Sequence, residues 1–324
     1  MITLSRRLVT GALAGLALSG ARPALAGAAA LAEAPASRRI RLGAFTITTL
    51  LDAEETIDGP WPIVGEDRPR AEVQALMQEN RLAPDRFTPG FTPTLIETGT
   101  QRILFDTGNG EVGFIPRPAG GRLGRALRRA GITPETIDLV VITHCHTDHI
   151  GGLLEGGVPQ FPNAVYVVGE AEYRFWTAEE RLSAPTDSNT YRSAAVVRSH
   201  LVPLRERIRF VGPGDTVAPG IDVVAAFGHT PGHLAFHCES EGHRMLVWGD
   251  CAHHEVASLS HPEWHALFDL DKDQGIATRR AIYAMAATER LLVAGYHTAF
   301  PSLGHVEPRG TGFRWIPVTE PGTP

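Results

Sequence analysis

Thr143-His144-Cys145-His146-Thr147-Asp148-His149 places three imidazoles and a carboxylate within the six residues 144–149. Imidazole nitrogen suits zinc and its first-row neighbours, and a carboxylate adds charge neutralisation. Ligands of this kind, without a full set of cysteines, can leave a coordination position open for water. A single histidine on an apolar face is more often a packed core residue. An H-x-H-x-D-H spacing instead points to metal, the alternative being a hydrogen-bonded polar turn.

The elements around this run must bring it to a rim. Residues 137–142 are apolar and β-branched apart from Asp138, which predicts a buried strand with the ligand cluster at its end. Gly151 and Gly152 then let the backbone turn tightly around whatever the cluster holds. Three later segments repeat the form: apolar runs at 221–227, 243–248 and 291–294 stop at glycine, and His229, Asp250 and His297 follow. Ligands at the ends of several strands can converge on one rim of a sheet sandwich. Further strands are predicted over 41–51, 92–98, 101–105 and 164–168, and helices over 71–80, 123–130, 170–177 and 275–289. Asp106, in the loop Asp106-Thr107-Gly108-Asn109-Gly110, is the carboxylate expected to fix an imidazole tautomer, and His233 is a further candidate support. His253, His254, His261 and His265 match no ligand position and are expected at the surface, at the rim or in the core.

In their order, His144-Cys145-His146-Thr147-Asp148-His149, Gly228-His229-Thr230-Pro231-Gly232-His233, Gly249-Asp250 and Gly295-Tyr296-His297 resemble the metallo-β-lactamase-fold hydrolases, over residues 40–317. The resemblance implies a mixed α/β (α+β) fold, an αββα four-layer sandwich with two divalent ions at one edge. It implies that His144, His146 and His229 hold the first ion, that Asp148, His149 and His297 hold the second, and that Asp250 bridges them. Zinc is the first expectation for both, with manganese, iron or cobalt acceptable to the same ligands. An aspartate at 250 argues against the β-lactamase subgroup that uses cysteine there. The stretch His297-Thr298-Ala299-Phe300-Pro301-Ser302-Leu303-Gly304-His305-Val306 is similar to the ending of methyl parathion hydrolase-like enzymes, as is Phe268-Asp269-Leu270-Asp271. That likeness implies an aromatic substrate pocket with Phe175, Trp176 and Phe114 in its wall and His305 near it.

The expected reaction is hydrolysis of an ester, lactone or phosphotriester by a hydroxide shared between the ions, with Asp148 aiming it and passing a proton to the leaving group. The alternatives within the same fold are a mononuclear iron oxidoreductase of the persulfide dioxygenase kind and β-lactam hydrolysis. A complete second ligand set disfavours the former.

The rest of the chain bounds this reading. Ser5-Arg6-Arg7-Leu8-Val9, an apolar stretch at 10–20 and Pro23-Ala24-Leu25-Ala26 resemble a twin-arginine export signal, so residues 1–26 are expected to direct the protein to the periplasm or outside the cell. Residues 27–39 are expected to form a flexible lead-in and 318–324 a tail. Loss of Arg6, Arg7 and Arg22 takes the formal charge from −6 to −9. That acidity speaks against a nucleic-acid partner, and the expected hydrolysis calls for a small-molecule substrate. No apolar run beyond the signal is long enough to anchor the mature chain in a bilayer. Cys145, Cys238 and Cys251 have no disulfide framework spacing, and packing is their expected role.

Overall fold

Apolar residues occupy both faces of the central strands, so each face needs a cover. The computed structural model describes residues 36–318 and provides that cover as four layers. The expected signal at 1–26 and all but the ends of the expected lead-in and tail lie outside the described residues.

One seven-stranded sheet runs in chain order: β1 (Ser37–Leu42), β2 (Phe45–Leu50), β3 (Thr94–Glu97), β4 (Arg102–Phe105), β5 (Leu139–Ile142), β6 (Val165–Gly169) and β7 (Ile208–Val211). Pairing is antiparallel from β1 to β4 and parallel from β4 to β7. The second seven-stranded sheet is β8 (Thr216–Ala218), β9 (Ile221–Ala225), β10 (Leu234–Ser240), β11 (His243–Val247), β12 (Leu292–Ala294), β13 (Leu303–Arg309) and β14 (Gly312–Pro317). Within it β11 and β12 are parallel and the other pairs antiparallel. The helices are α1 (Arg70–Glu79), α2 (Leu123–Arg129), α3 (Thr147–Ile150), α4 (Glu170–Thr177), α5 (Asn189–Val196), α6 (Ala257–Ser260) and α7 (Lys272–Thr288), with short 3-10 and π turns between some of them.

Alternation sorts the side chains into layers. Ile103, Phe105, Val141 and Val167 of the first sheet meet Phe236, Cys238, Met245 and Val247 of the second in a shared interior. Leu104, Val140, Ile142 and Val168 turn the other way, against Leu127, Trp176 and Ala194 of α2, α4 and α5. Ala235, Leu246 and Val293 pack against Ile282, Tyr283 and Ala286 of α7. This is the αββα sandwich that the sequence resemblance implies. The three cysteines are buried and free. Among the described residues no helix is long and apolar enough to cross a membrane.

Several boundaries differ from expectation. The single strand predicted over 41–51 is a hairpin, because Gly43 (φ +57°) turns the chain where a Cβ would lie 2.2 Å from the Ser240 carbonyl oxygen. Residues 37–39, assigned to the lead-in, begin β1: Arg38 and Arg39 pair with Thr49 and Thr48, so backbone pairing orders a polar segment that shows no apolar run. Val318, assigned to the tail, donates its backbone N–H to Leu303 and packs on the interior. Helix α7 starts at Lys272, where the Asp271 side chain caps it by accepting from the Gln274 N–H at 3.0 Å.

Strand direction then fixes where the chemistry can lie. β4 and β5 are parallel, and β9, β11 and β12 also share one direction, since β9 and β11 are both antiparallel to β10. Asp106, His144, His229, Asp250 and His297 therefore all follow carboxyl ends of strands.

Candidate metal centre

His144 and His146 lie on extended backbone after β5, so their side chains share one side while Cys145 between them turns into the core and is fully buried. One turn of helix, α3, then redirects the chain and sends Asp148 and His149 to a second cluster. The first cluster closes with His229: its Nε2 is 3.2 Å from His144 Nε2 and 2.8 Å from His146 Nδ1, and those two are 3.1 Å apart. The second closes with His297, whose Nε2 is 3.5 Å from Asp148 Oδ2, the same distance as His149 Nε2 from that oxygen. Asp250 spans the two, with Oδ2 3.2 Å from His229 Nε2 and from His297 Nε2, and Oδ1 3.0 Å from His149 Nε2. The donor atoms of His144, His146, His229 and Asp250 all lie within 4.8 Å of one another, as do those of Asp148, His149 and His297.

The hydrogen bonds behind the rings show that these donor atoms suit cations. His297 Nδ1 faces the Gly90 carbonyl at 2.9 Å, an oxygen that can only accept, so Nδ1 carries the proton and the neutral ring turns a lone pair inward at Nε2. His149 Nδ1 faces Asp106 Oδ2 at 2.8 Å, and His229 Nδ1 faces Asp269 Oδ1 at 3.0 Å, with the same consequence. The Thr143 hydroxyl donates to Asp106 Oδ2 and is left to accept from His144 Nδ1 at 3.1 Å. Inward lone pairs thus face one another and a carboxylate. His149 Nε2 and Asp250 Oδ1 are buried, 3.0 Å apart, and neither has a hydrogen-bond partner. Divalent cations satisfy that arrangement, since both atoms are acceptors.

Charge balance points the same way. Burial pushes His144 and His146 well below the ordinary histidine range, and the neighbouring imidazoles add to it. Burial also opposes a proton on His149, yet Asp250, Asp148 and Asp106 outweigh it and carry that ring well above its usual value. At His229 burial loses to Asp250 and Asp269, which lift the ring to about 9. Burial works to raise Asp250, but His297, His149 and His144 hold it well below the carboxylate range. Protons on these imidazoles compete for the place of a cation, so metal binding must release them.

The supports come from several separate segments. Asp106, left-handed at φ +60°, also accepts the Thr143 N–H, tying the end of β4 to the first motif. His233 donates from Nδ1 to the Ala226 carbonyl and accepts the Asp250 N–H at Nε2, 3.1 Å away, so it sets the backbone of the bridging aspartate. A Cβ on Gly249 would sit 2.5 Å from that His233 nitrogen, which is why glycine precedes Asp250. Residues without a role in the sequence reading complete the frame. Asp269 orients His229 and pairs with the buried Arg279. Glu172 accepts from Cys145 N (2.8 Å) and Trp176 Nε1 (2.7 Å) at one oxygen and from Thr230 Oγ1 (2.7 Å) and Gly232 N (3.0 Å) at the other. It joins the two motifs that carry the first cluster. Tyr296 stacks on His149, and its hydroxyl donates to the Asp148 carbonyl at 2.6 Å. The likeness of Phe268-Asp269-Leu270-Asp271 to methyl parathion hydrolase-like enzymes was a visible signal for Asp269; a buried glutamate on a helix face gave none.

A cavity of about 490 Å³ opens over the centre, with His146, Asp148, Asp250 and His297 in its floor. Ile57, Phe87, Phe91, Phe114 and Phe268 form an apolar wall, and Asn189, Tyr191, Arg192 and Ser193 contribute to a polar one. Phe114 therefore lines the cavity. Phe175 and Trp176 do not, which corrects the expected aromatic wall. Trp176 is fully buried, bonded to Glu172, with its ring 5.8 Å from His146, while Phe175 lies under the Arg181 guanidinium. His305 is a second correction: on β13, its Nδ1 donates to the Leu291 carbonyl at 3.0 Å, away from the cavity. His253, in contrast, borders the cavity and is 4% exposed.

A model of the Metallo-beta-lactamase superfamily matches residues 92–291, more than half of the chain, and takes in each of these ligand-type residues except His297. An N-acyl homoserine lactonase of Bacillus cereus is 27% identical over 163 residues, 48% of this chain and 57% of that protein. The chain thus spans little more than half the length of the curated relatives it matches. Two solved structures share the fold: AidC, a dizinc quorum-quenching lactonase in complex with the product N-hexanoyl-L-homoserine (TM-score 0.80, 23% identity, 89% of this chain, 100% of that one), and the hydrolase AbOPH of the beta-lactamase superfamily (TM-score 0.81, 24% identity, 90% of this chain, 100% of that one).

Proposed function

This chain belongs to the metallo-β-lactamase superfamily, and from that premise we propose that it is a dinuclear metal-dependent hydrolase of lactones and esters, with phosphotriesters as a related substrate class. The observation that carries the reading is the divided carboxylate of Asp250, one oxygen beside His229 and the other, without any hydrogen-bond partner, beside His149. Two divalent ions, zinc by the imidazole-rich donor set, would supply a water of near-neutral pKa and polarise the substrate oxygen. His144, His146 and His229 would hold one, Asp148, His149 and His297 the other, with Asp250 shared.

The chain's own groups then do the following. Asp148 borders the cavity, with its backbone fixed by Tyr296, so its carboxylate can take a proton from the attacking water and return it to the departing oxygen. The apolar wall of Phe91, Phe114 and Phe268 excludes water from that exchange and packs the organic part of the substrate. The lactone class is supported by the lactonase among the relatives. A one-ion iron enzyme would leave Asp148, His149 and His297 without a purpose. The paired arginines, apolar stretch and Ala-Leu-Ala at 24–26 support export of the mature chain to the periplasm or beyond.

The test is hydrolysis by the purified mature chain, with metal quantified, of an N-acyl homoserine lactone, an aryl ester, a phosphotriester and a β-lactam, beside Asp250→Ala. Two ions per chain and turnover of the lactone or ester are expected. Loss of the bridging ligand removes several kcal/mol of transition-state stabilisation, about a thousandfold in rate. Equal activity of the two proteins, or a single ion per wild-type chain, would overturn the dinuclear reading.

A further inference from the structure

His253 follows the bridging aspartate by three residues and borders the cavity, yet neither of its ring nitrogens has a hydrogen-bond partner. A buried imidazole with both nitrogens unsatisfied forfeits the hydrogen bonds that each would make in water. Such a group is kept where something from outside the chain completes it.

The ring is not free to find another partner. Its backbone N–H is held by Ser258 Oγ at 3.2 Å. Its faces and edges are enclosed by His229, His297 and Phe268, with centroids 5.0, 6.0 and 6.3 Å away. Nor does it join the metal clusters. The donor atoms that lie within 4.8 Å of one another are those of His144, His146, His229 and Asp250, and separately Asp148, His149 and His297. His253 groups only with His229 and Asp269, and that trio is spoken for: the Asp269 oxygens are taken by His229 Nδ1 and by the Arg279 guanidinium, whose positive charge repels a cation. His253 Nε2 also faces the bridging aspartate, 3.7 Å from Asp250 Oδ2.

An oxygen of a substrate bound over Asp250 is thus within reach of the His253 ring. Resting on the ester and lactone reading above, we propose that His253 is a catalytic hydrogen-bond donor to the leaving-group oxygen. When the acyl C–O bond breaks, its electron pair goes to that oxygen, and the imidazole N–H stabilises the developing negative charge without giving up its proton. The proton that completes the alcohol comes from the attacking water. The other ring nitrogen remains an acceptor for a water or a substrate hydroxyl.

A preorganised donor at a developing oxyanion is worth most when the departing oxygen carries most charge. The experiment compares wild type, His253→Asn and His253→Leu on aryl acetates, from 4-nitrophenyl acetate to phenyl acetate, with metal content measured for each protein. For His253→Leu, kcat/KM should fall about tenfold on the 4-nitrophenyl ester and about a hundredfold on the phenyl ester, steepening the dependence on leaving-group pKa. His253→Asn, which keeps an N–H, should restore the wild-type slope in part, and all three should carry the same metal complement. A uniform loss across the esters would overturn the proposal, as would a drop in bound metal, which would make His253 a ligand. Wild type inactive on every ester would overturn the ester reading and this inference with it.

Discussion

The floor of the cavity and its rim are built by different means. Four of the five ligand-type rings are fixed from behind: His149 by Asp106, His229 by Asp269, His297 by the Gly90 carbonyl and His144 by Thr143. The supports are themselves bonded to strand ends or to buried partners such as Arg279. The rim is held by packing alone in several places. Phe114 is 48% exposed and touches Phe91 and Phe268 only through ring contacts, at 6.3 and 6.1 Å. Preorganisation belongs where charge develops, while packing contacts can be exchanged without disturbing it. Under the proposed function, the floor would carry the reaction and the rim the choice of substrate.

The hardest test of that contrast is Glu172, which supports the floor without contributing a ligand-type atom to either cluster. Burial raises its carboxyl, and the donors from Cys145, Thr230, Trp176 and Gly232 pull it back. Glu172→Ala orphans those four donors and cuts the tie between the motif of His144 and His146 and that of His229. At about 1–3 kcal/mol for each buried unpaired donor, partly relieved by water entry, a loss of about 3 kcal/mol or more is expected. That corresponds to a fall of about 6 °C or more in Tm by calorimetry. An unchanged Tm would show that the two motifs are not held by this strut.

Next in size is Asp269, which fixes the tautomer of one ligand. Asp269→Asn leaves the size of the side chain and removes the charge that holds His229 Nδ1–H and Arg279. Metal affinity should fall about 10- to 100-fold, measured by competition with a chelator. The loss should be smaller at lower pH, because Asp269 raises the His229 pKa, so a proton on the ligand nitrogen competes with the cation more in wild type than in the variant. A variant that binds both ions as wild type does would move Asp269 from the floor to mere packing.

These two residues also mark what the sequence conceals. The ligand-type residues were legible because their motifs stand at the ends of apolar runs, those of His229, Asp250 and His297 behind a glycine, and strand direction carries such residues to one rim. The sandwich was legible for the same reason, as strands apolar on both faces demand two covers. The hairpin at Gly43 was hidden because its close approach is to Ser240, about two hundred residues away in the chain. Phe175 and Trp176 misled because an aromatic on a helix looks the same whether it faces a pocket or the core. Only the bond from Trp176 to Glu172 decides it. His253 carried no signal, since an unpartnered nitrogen is a property of packing and not of spacing.

The smallest effect belongs to the rim. Phe114→Ala removes a ring that lines the cavity, stacks on Phe91 and meets Phe268 edge-on, without touching any ligand or its support. Stability should change little, because the ring is already half in solvent and aromatic pairs add only about 0.5–1.5 kcal/mol beyond burial. Substrate binding should weaken instead. Without the ring, apolar packing against the substrate weakens by about 1 kcal/mol, so KM for a lactone with a long acyl chain or for an aryl ester should rise about fivefold, with kcat and metal content unchanged. A lactone with a short, polar side chain should respond less. If kcat fell together with metal content, Phe114 would be part of the frame that holds the ions, and the division between a fixed floor and an exchangeable rim would have to be redrawn along the contact from Phe91 to His297, whose rings meet edge-on at 5.0 Å.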